Sequence, residues 1–465
     1  MVFSSLTFIS VFLPVVFLLY TFLPGKKLKN SLLLIASLLF YAYGEPVYIF
    51  LMIGSILLNY SLGILCGTKQ SKVSVVLAVI VNLGILGVFK YVGFIVQSIN
   101  QIFGSGFHVP QIRLPIGISF FTFQALSYVI DVYRGQVQPQ KNFGKLMLYI
   151  SFFPQLIAGP IVKYHDIEQQ LDQRKQNPQE VALGIRRFAT GLGKKVLIAN
   201  TMATAADAIF SMQSGEINFM TAWLGAIAYL MQIYFDFSGY SDMAIGLGHM
   251  FGFCFKENFN YPYASVSIRD FWRRWHISLS TWFKEYLYIP LGGNRKGKAR
   301  TCTNKIIVFF FTGLWHGANW TFVIWGLYHG FFLLLEEYLP KIKVPKIFKH
   351  IYAIVVVCIG FVIFRADHIG QAVMMIGKMF TAGNYNQQTM ALFWSQMTPL
   401  FIVALIFAAI CALPLRPWIQ AFCCKHGKWV YGYQVLAFVG SILLLILSML
   451  NLAGGTYNPF IYFRF

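Results

Sequence analysis

The sequence predicts an all-α, polytopic membrane protein, and two observations carry that prediction. Of its 465 residues, 57% are hydrophobic and only 11% are charged, a balance outside the range of soluble domains of this size. The net charge is +21, and the basic residues cluster in short stretches between apolar runs, as cytoplasmic loops do between spans. The surplus is therefore a topology signal. It implies membrane lipid as the partner and a multi-pass place in the cytoplasmic membrane; no nucleic-acid partner is expected.

The elements follow in order. Met1 to Leu23 is a retained first span, with no basic residue ahead of it and no small-residue cleavage site behind it. Lys26, Lys27 and Lys29 follow it, which places the N-terminus outside the cytoplasm. Further spans are expected at 30–44, 47–66, 74–96 and 115–132. Basic loops fall after the first, the third (Lys69, Lys72) and the fifth (Arg134, Lys141, Lys145), and the intervening loops lack Lys and Arg. Lys90 and Arg113 are the two exceptions. The stretch "YISFFPQLIAGPIV" (149–162) is interrupted by Pro154, Gly159 and Pro160, and reads as a broken or re-entrant segment sheltered by protein. A basic stretch, 163–195, comes next. Later apolar runs lie near 182–210, 218–236, 306–335, 350–365, 389–413 and 433–453. About eleven spans result, plus interfacial helices, in a single membrane domain over 1–465. Within it, 1–145 holds the N-terminal spans, 146–255 the middle spans with the broken segment, 256–335 the interfacial helix and core, and 336–465 the C-terminal spans. The seven cysteines lack ligand spacing, so neither a disulfide framework nor a metal is expected. Asp236 and Asp242 stand in apolar surroundings and are read as structural hydrogen-bonding groups.

In "SIRDFWRRWHISLSTWFKEYL", Trp272, Trp275, Leu279, Trp282, Phe283 and Tyr286 recur every three or four residues. Ser267 with Asp270 makes a capping-box-like start, and Asp270 to Arg274 is an i,i+4 pair. Trp on one side and Arg on the other describe a helix lying at the membrane interface. "IPLGGNRKGKAR" is then an exposed turn and a basic loop.

The uncharged run from Ile306 to Leu335 contains "TGLWHGANWTFVIWGLYHG". Lys305 marks its cytoplasmic edge. Ten residues of helix, roughly 15 Å, separate that edge from His316, which puts the imidazole near mid-membrane. Asn319 is within reach if the backbone stays helical. A sheltered, neutral imidazole can take a proton from a hydroxyl that attacks a carbonyl. A buried histidine is also a common structural residue, so the residues alone leave both readings of His316 open. His329, thirteen residues on, is expected to be structural or at the far interface. His276 is either interfacial or lines a cavity.

"RDFWRRWHISLSTWF" followed by "GLWHGANWTFVIWGLYHG" resembles the signature of the membrane-bound O-acyltransferases, nearest to their bacterial alginate O-acetyltransferase membrane-subunit branch. "VFSSLTFISVFLPVVFLLY", "ASLLFYAYGEP", "LPIGISFFTFQALSYVIDVYRG", "FFPQLIAGPI" and "IYFDFSGYSDMAIGLG" carry the likeness along nearly the whole chain. The resemblance implies a ring of about eleven transmembrane helices, with interfacial and re-entrant helices, around a central funnel. It places the family's invariant histidine on His316 and its second histidine on His276. It implies an O-acyltransferase that moves an acetyl or similar small acyl group from a cytoplasmic thioester, acetyl-CoA or an acyl carrier, for O-acylation of a cell-surface polysaccharide. The thioester is a co-substrate, and no bound cofactor is expected. Arg269, Arg273 and Arg274 are candidates for the donor's phosphates. Asn319 or His276 is the candidate oxyanion or positioning group. The end "FIYFRF" resembles a terminal motif of small partner proteins in D-alanyl transfer to teichoic acids, which makes Tyr462 a candidate acyl relay. A separate extracytoplasmic acyltransferase or esterase-like protein is the expected partner for the final transfer to polysaccharide. The alternatives are a non-catalytic scaffold and a transporter component of an export complex. The absence of inverted halves and of a ladder of intramembrane charges speaks against the transporter.

Overall fold

The computed structural model describes residues 1–69, 71–157, 159–339, 343–383, 385–425, 427–455 and 457–459. Their secondary structure is helical, with no strand among them. Among the described residues, four helices are long and apolar enough to cross a bilayer: Tyr48–Thr68, Lys72–Phe103, Lys346–Arg365 and Val430–Gly454. Gln387–Gln396 and Pro399–Ala412, bent by 62° at their junction, form a fifth if taken together. By length and composition, then, four or five spans count among the described residues, and the expected number of about eleven is not confirmed by this measure. Val430–Gly454 is only 6% buried over its most apolar window, with Leu443 and Leu450 bare, a surface suited to lipid rather than water.

The chain divides into two compact units. The first comprises Met1–Phe188 with Ser241–Lys256. Helices stand at all five of the expected N-terminal positions. Two spans are joined by a reciprocal amide pair: Asn59 Nδ2 donates to Asn82 Oδ1 at 3.1 Å, and Asn82 Nδ2 to Asn59 Oδ1 at 2.8 Å. Both side chains are buried, and such pairs hold helices together where apolar contact with lipid is no worse than contact with protein. The interrupted segment is as expected. One helix stops at Ser151, a single turn covers Phe153–Leu156, and the described residues from there to Tyr164 are non-helical. Tyr149 Oη donates to the Val162 carbonyl at 2.9 Å, which closes this buried excursion. Asp242 accepts from Arg187 at 3.0 and 2.9 Å, the structural role expected of it.

The second unit comprises Ala189–Tyr240 with Glu257–Phe465. Six helices carry its chemistry: α1 (Phe219–Met250, through residue 240), α2 (Ile268–Arg274), α3 (Ile277–Phe283), α4 (Gly297–His316), α5 (Trp320–Tyr338) and α6 (Lys346–Arg365). Asp236 on α1 makes a fully buried ion pair with Lys195 at 2.6 Å.

Two sequence expectations change here. The periodic stretch 268–288 is not one helix. α2 ends where the Trp275 amide bonds the Phe271 carbonyl at 2.8 Å, and His276 then takes the left-handed conformation, φ 44° and ψ 55°. Trp272, Trp275, Leu279, Trp282 and Phe283 are buried rather than turned to lipid, because the break folds their shared stripe into the unit's core. The run 306–335 is likewise not one span. Gly317, Ala318 and Asn319 form a turn that reverses the chain, and α4 and α5 pack as a hairpin. Glycines make that crossing close. A Cβ on Gly326 would overlap the Phe309 carbonyl, and one on Gly313 would overlap that of Phe322, the small-residue contact of membrane helices.

Candidate active site

His316 is the last residue of α4, and His276 sits in the break between α2 and α3. The sequence separates them by forty positions; the fold brings their rings to 6.4 Å between centroids. Around His316 stand Trp315 and Trp325, each at 5.0 Å and edge-on, and Phe364 of α6 at 5.2 Å. Around His276 stand Phe237 of α1 at 4.6 Å and Trp315 at 5.8 Å. Only 7% of His316 and none of His276 is exposed.

The tautomer of His276 follows from its neighbour. Asn258 Oδ1 accepts from the Ser278 amide at 3.1 Å and the Ser278 hydroxyl at 2.9 Å. The backbone donor fixes which side-chain atom is oxygen. That oxygen also faces His276 Nδ1 at 3.3 Å, so Nδ1 carries the proton and Nε2 keeps its lone pair. Nε2 has no hydrogen-bond partner among the described residues. His276 lies outside the spanning helices, and burial lowers its pKa to about 3, so the ring is neutral at cellular pH. A neutral ring in this tautomer accepts at Nε2. It does not supply the oxyanion donor considered for His276.

Asn319 is not a helical turn beyond His316 but in the hairpin turn. Its Oδ1 caps α5 by accepting from the Thr321 amide at 3.0 Å, and its Nδ2 donates to the Asp367 carbonyl at 2.9 Å. Both ends of the amide are occupied in positioning the turn that carries His316. His329 is fully buried, not at an interface. It meets Trp325 at 5.2 Å and Trp272 at 5.4 Å, and Trp325 in turn meets His316. The ring nitrogens of Trp272, Trp325 and His329 have no hydrogen-bond partner among the described residues.

A cavity of about 330 Å³ opens against Trp272, and neither His316 nor His276 lines it. Arg269, Arg273, Lys284 and Lys305 give its wall a strong positive charge; Trp272, Leu279, Phe283, Phe309 and Leu333 make the rest apolar. Its lining reaches Thr312, one helical turn before His316, and Trp272. Of the three arginines marked in the sequence, Arg269 and Arg273 line it. Arg274 does not: its Nε donates to Asp270 at 2.9 Å, the i,i+4 pair expected. The Ser267 cap also forms, accepting from the Asp270 amide at 3.0 Å. Tyr462 lies outside the described residues. The tail just before it is tied into the unit: Lys195 Nζ donates to the Pro459 carbonyl, Asn200 to Asn458 at 3.2 Å, and Tyr457 Oη to Asp207 at 2.5 Å.

Sequence reasoning missed Asn258, Trp325, Lys284 and Lys305. Asn258 gave no signal because its role is to hold a residue eighteen positions away. Lys284 and Lys305 were indistinguishable from loop charges.

The sequence profile of the membrane-bound O-acyltransferase family matches residues 135–376, an interval containing both histidines and the cavity. Across its full length the chain is 42% identical to a probable alginate O-acetylase of Pseudomonas putida, covering all of that protein. It is 35% identical, also across its full length, to a peptidoglycan O-acetyltransferase of Helicobacter pylori, covering 98% of it. A teichoic acid D-alanyltransferase of Bacillus subtilis is 29% identical over 54% of this chain and 68% of its own.

Proposed function

The chain belongs to the membrane-bound O-acyltransferase family and is a multi-pass membrane acyltransferase; from that premise we propose that it passes a small acyl group, acetyl in the first instance, from a cytoplasmic thioester to a hydroxyl acceptor serving O-acylation of a cell-surface polysaccharide. The relatives named for alginate and peptidoglycan O-acetylation support the substrate class. The observation that carries the mechanism is the pair of buried imidazoles, 6.4 Å apart, with a basic cavity whose wall ends at Thr312, one helical turn before His316.

The donor's phosphate-bearing handle rests against Arg269 and Arg273, and its acyl end extends past Thr312 toward His316. The acceptor hydroxyl gives its proton to His316 while its oxygen bonds the thioester carbonyl carbon. As the carbon–sulfur bond breaks, the leaving thiolate takes that proton back, so His316 ends neutral. Before transfer the hydroxyl's one proton points to the Nε2 lone pair of His276, which orients the acceptor, and the O–H then turns to His316 for the transfer. Asn319 positions the turn. The family's ring of helices around a funnel supplies the passage. The acceptor is either a separate extracytoplasmic transferase of esterase-like type or Tyr462 acting as a relay. The anchoring of Tyr457–Pro459 on Lys195, Asn200 and Asp207 supports the relay.

The test is acyl transfer by His316→Gln in purified protein. A general base contributes about 10²–10⁴-fold, so the rate of thioester consumption should fall by at least about a hundred-fold with folding unchanged. A scaffold would keep its effect on surface acylation in cells, and a transporter would move substrate without consuming thioester; either result overturns the proposal.

A further inference from the structure

Four cations line the basic cavity, but they are not equivalent. Arg269 Nη2 pairs with Glu337 Oε2 at 3.0 Å, and Lys305 Nζ pairs with the same oxygen. Arg273 and Lys284 line the wall with no carboxylate partner among the described residues. Glu337 and its neighbour Glu336 lie in the last turn of α5. Glu336 is engaged elsewhere: its two oxygens accept from the Ile268 and Arg269 amides at 2.5 and 3.0 Å, capping α2. The carboxylate that meets the cavity's cations is therefore Glu337, and it meets two of the four.

We propose that Glu337 is an internal competitor for the donor's phosphate: it clasps Arg269 and Lys305 when the cavity holds no donor, and an incoming phosphate displaces it. The ligand class is a phosphate-bearing acyl thioester, so the proposal rests on the donor reading of this cavity. The physical argument is exchange. Arg273 and Lys284 offer an anion a first foothold without competition. A phosphate brings more charge and more acceptor oxygens than one carboxylate, so it wins the remaining two cations from Glu337. The exchange keeps the cations neutralised in both states and lowers the affinity for fragments that carry no phosphate. It makes Glu337 a specificity-determining residue, one that discriminates between phosphorylated and unphosphorylated thioesters.

The experiment measures binding of adenosine 3′,5′-bisphosphate, the phosphate-bearing part of a coenzyme A thioester, to full-length protein in phosphatidylcholine nanodiscs. Wild type is compared with Glu337→Gln and Arg273→Ala, each checked for monodispersity. Relief of two partly exposed ion pairs should tighten binding by about two- to ten-fold in Glu337→Gln at low salt. The gain should fade as salt screens the liberated cations. Arg273→Ala should bind about five-fold or more weakly. Binding that is unchanged or weaker in Glu337→Gln, with Arg273→Ala still weakened, overturns the competitor and leaves the donor site standing. No binding to any of the three proteins, with thioester consumption intact, overturns the donor reading and the competitor together. Displacement of the nucleotide by phosphatidylglycerol in the nanodisc identifies a lipid-headgroup site and also overturns the proposal.

Discussion

Replacing His276 separates two effects that a single alanine variant would merge: the loss of a ring and the relief of a strained backbone. The ring is fully buried against Phe237 and Trp315. Truncating a buried ring of this kind to Ala costs about 3–5 kcal/mol. The backbone at this position is left-handed, φ 44° and ψ 55°, a conformation that costs an L-residue with a Cβ roughly 1–2 kcal/mol and costs Gly nothing. Gly repays about 0.5–1 kcal/mol of that through the extra freedom of its unfolded chain. His276→Gly should therefore be more stable than His276→Ala by about 0.5–1 kcal/mol, even though Gly removes more atoms. His276→Asn, which tolerates the left-handed region and keeps a polar side chain, should exceed both. For a unit of this size the Gly–Ala difference is a shift of about 1–3 °C in melting temperature, measurable by replicate scanning fluorimetry in one detergent. All three variants should lose most acyl transfer, because none presents an imidazole nitrogen to the acceptor. If His276→Ala matches or exceeds His276→Gly in stability, the left-handed break is not a feature of the folded protein. If the Gly variant transfers acyl groups at the wild-type rate, the ring orients nothing.

Two further outcomes follow from packing and charge. Gly326→Ala drives a methyl into the Phe309 carbonyl at the α4–α5 crossing, so it should cost about 1–3 kcal/mol or more and lower the melting temperature. Gly377→Ala, with nothing near its added carbon, should be neutral or slightly stabilising. Lys195→Met takes the ammonium away from the buried Asp236 carboxylate and should cost about 3–5 kcal/mol, whereas Lys195→Met with Asp236→Leu should recover most of the loss. The yield of monodisperse protein and its melting temperature read both results.

The fold's helices were legible because hydrophobic runs and basic loops are local features. The Ser267 cap, the Asp270–Arg274 pair and the broken segment around Pro154 and Gly159 appear as expected, since each depends on residues within a few positions. Reversals of direction were not legible. Trp272, Trp275, Leu279 and Trp282 keep a helical period straight through His276, and nothing local announces that one residue takes the left-handed conformation. The apolar run around His316 similarly has one uniform composition, while the turn at Gly317 makes it two antiparallel helices. The same reversal explains His329. The sequence alone implies a rise of roughly 20 Å along one helix, yet one indole ring, Trp325, separates it from His316. Both candidate histidines were marked through motif resemblance. The tautomer of His276 was not, because it depends on Asn258 and Ser278 meeting across the break.

The indoles beside His316 give the protein an intrinsic optical reporter. Trp315 and Trp325 stand edge-on to that imidazole at 5.0 Å, and an excited indole passes an electron to a nearby imidazolium far more readily than to a neutral imidazole, dimming its emission. On the proposed proton transfer, the difference in tryptophan fluorescence between wild type and His316→Gln during turnover tracks the interval in which the ring is charged, with no label attached to the chain.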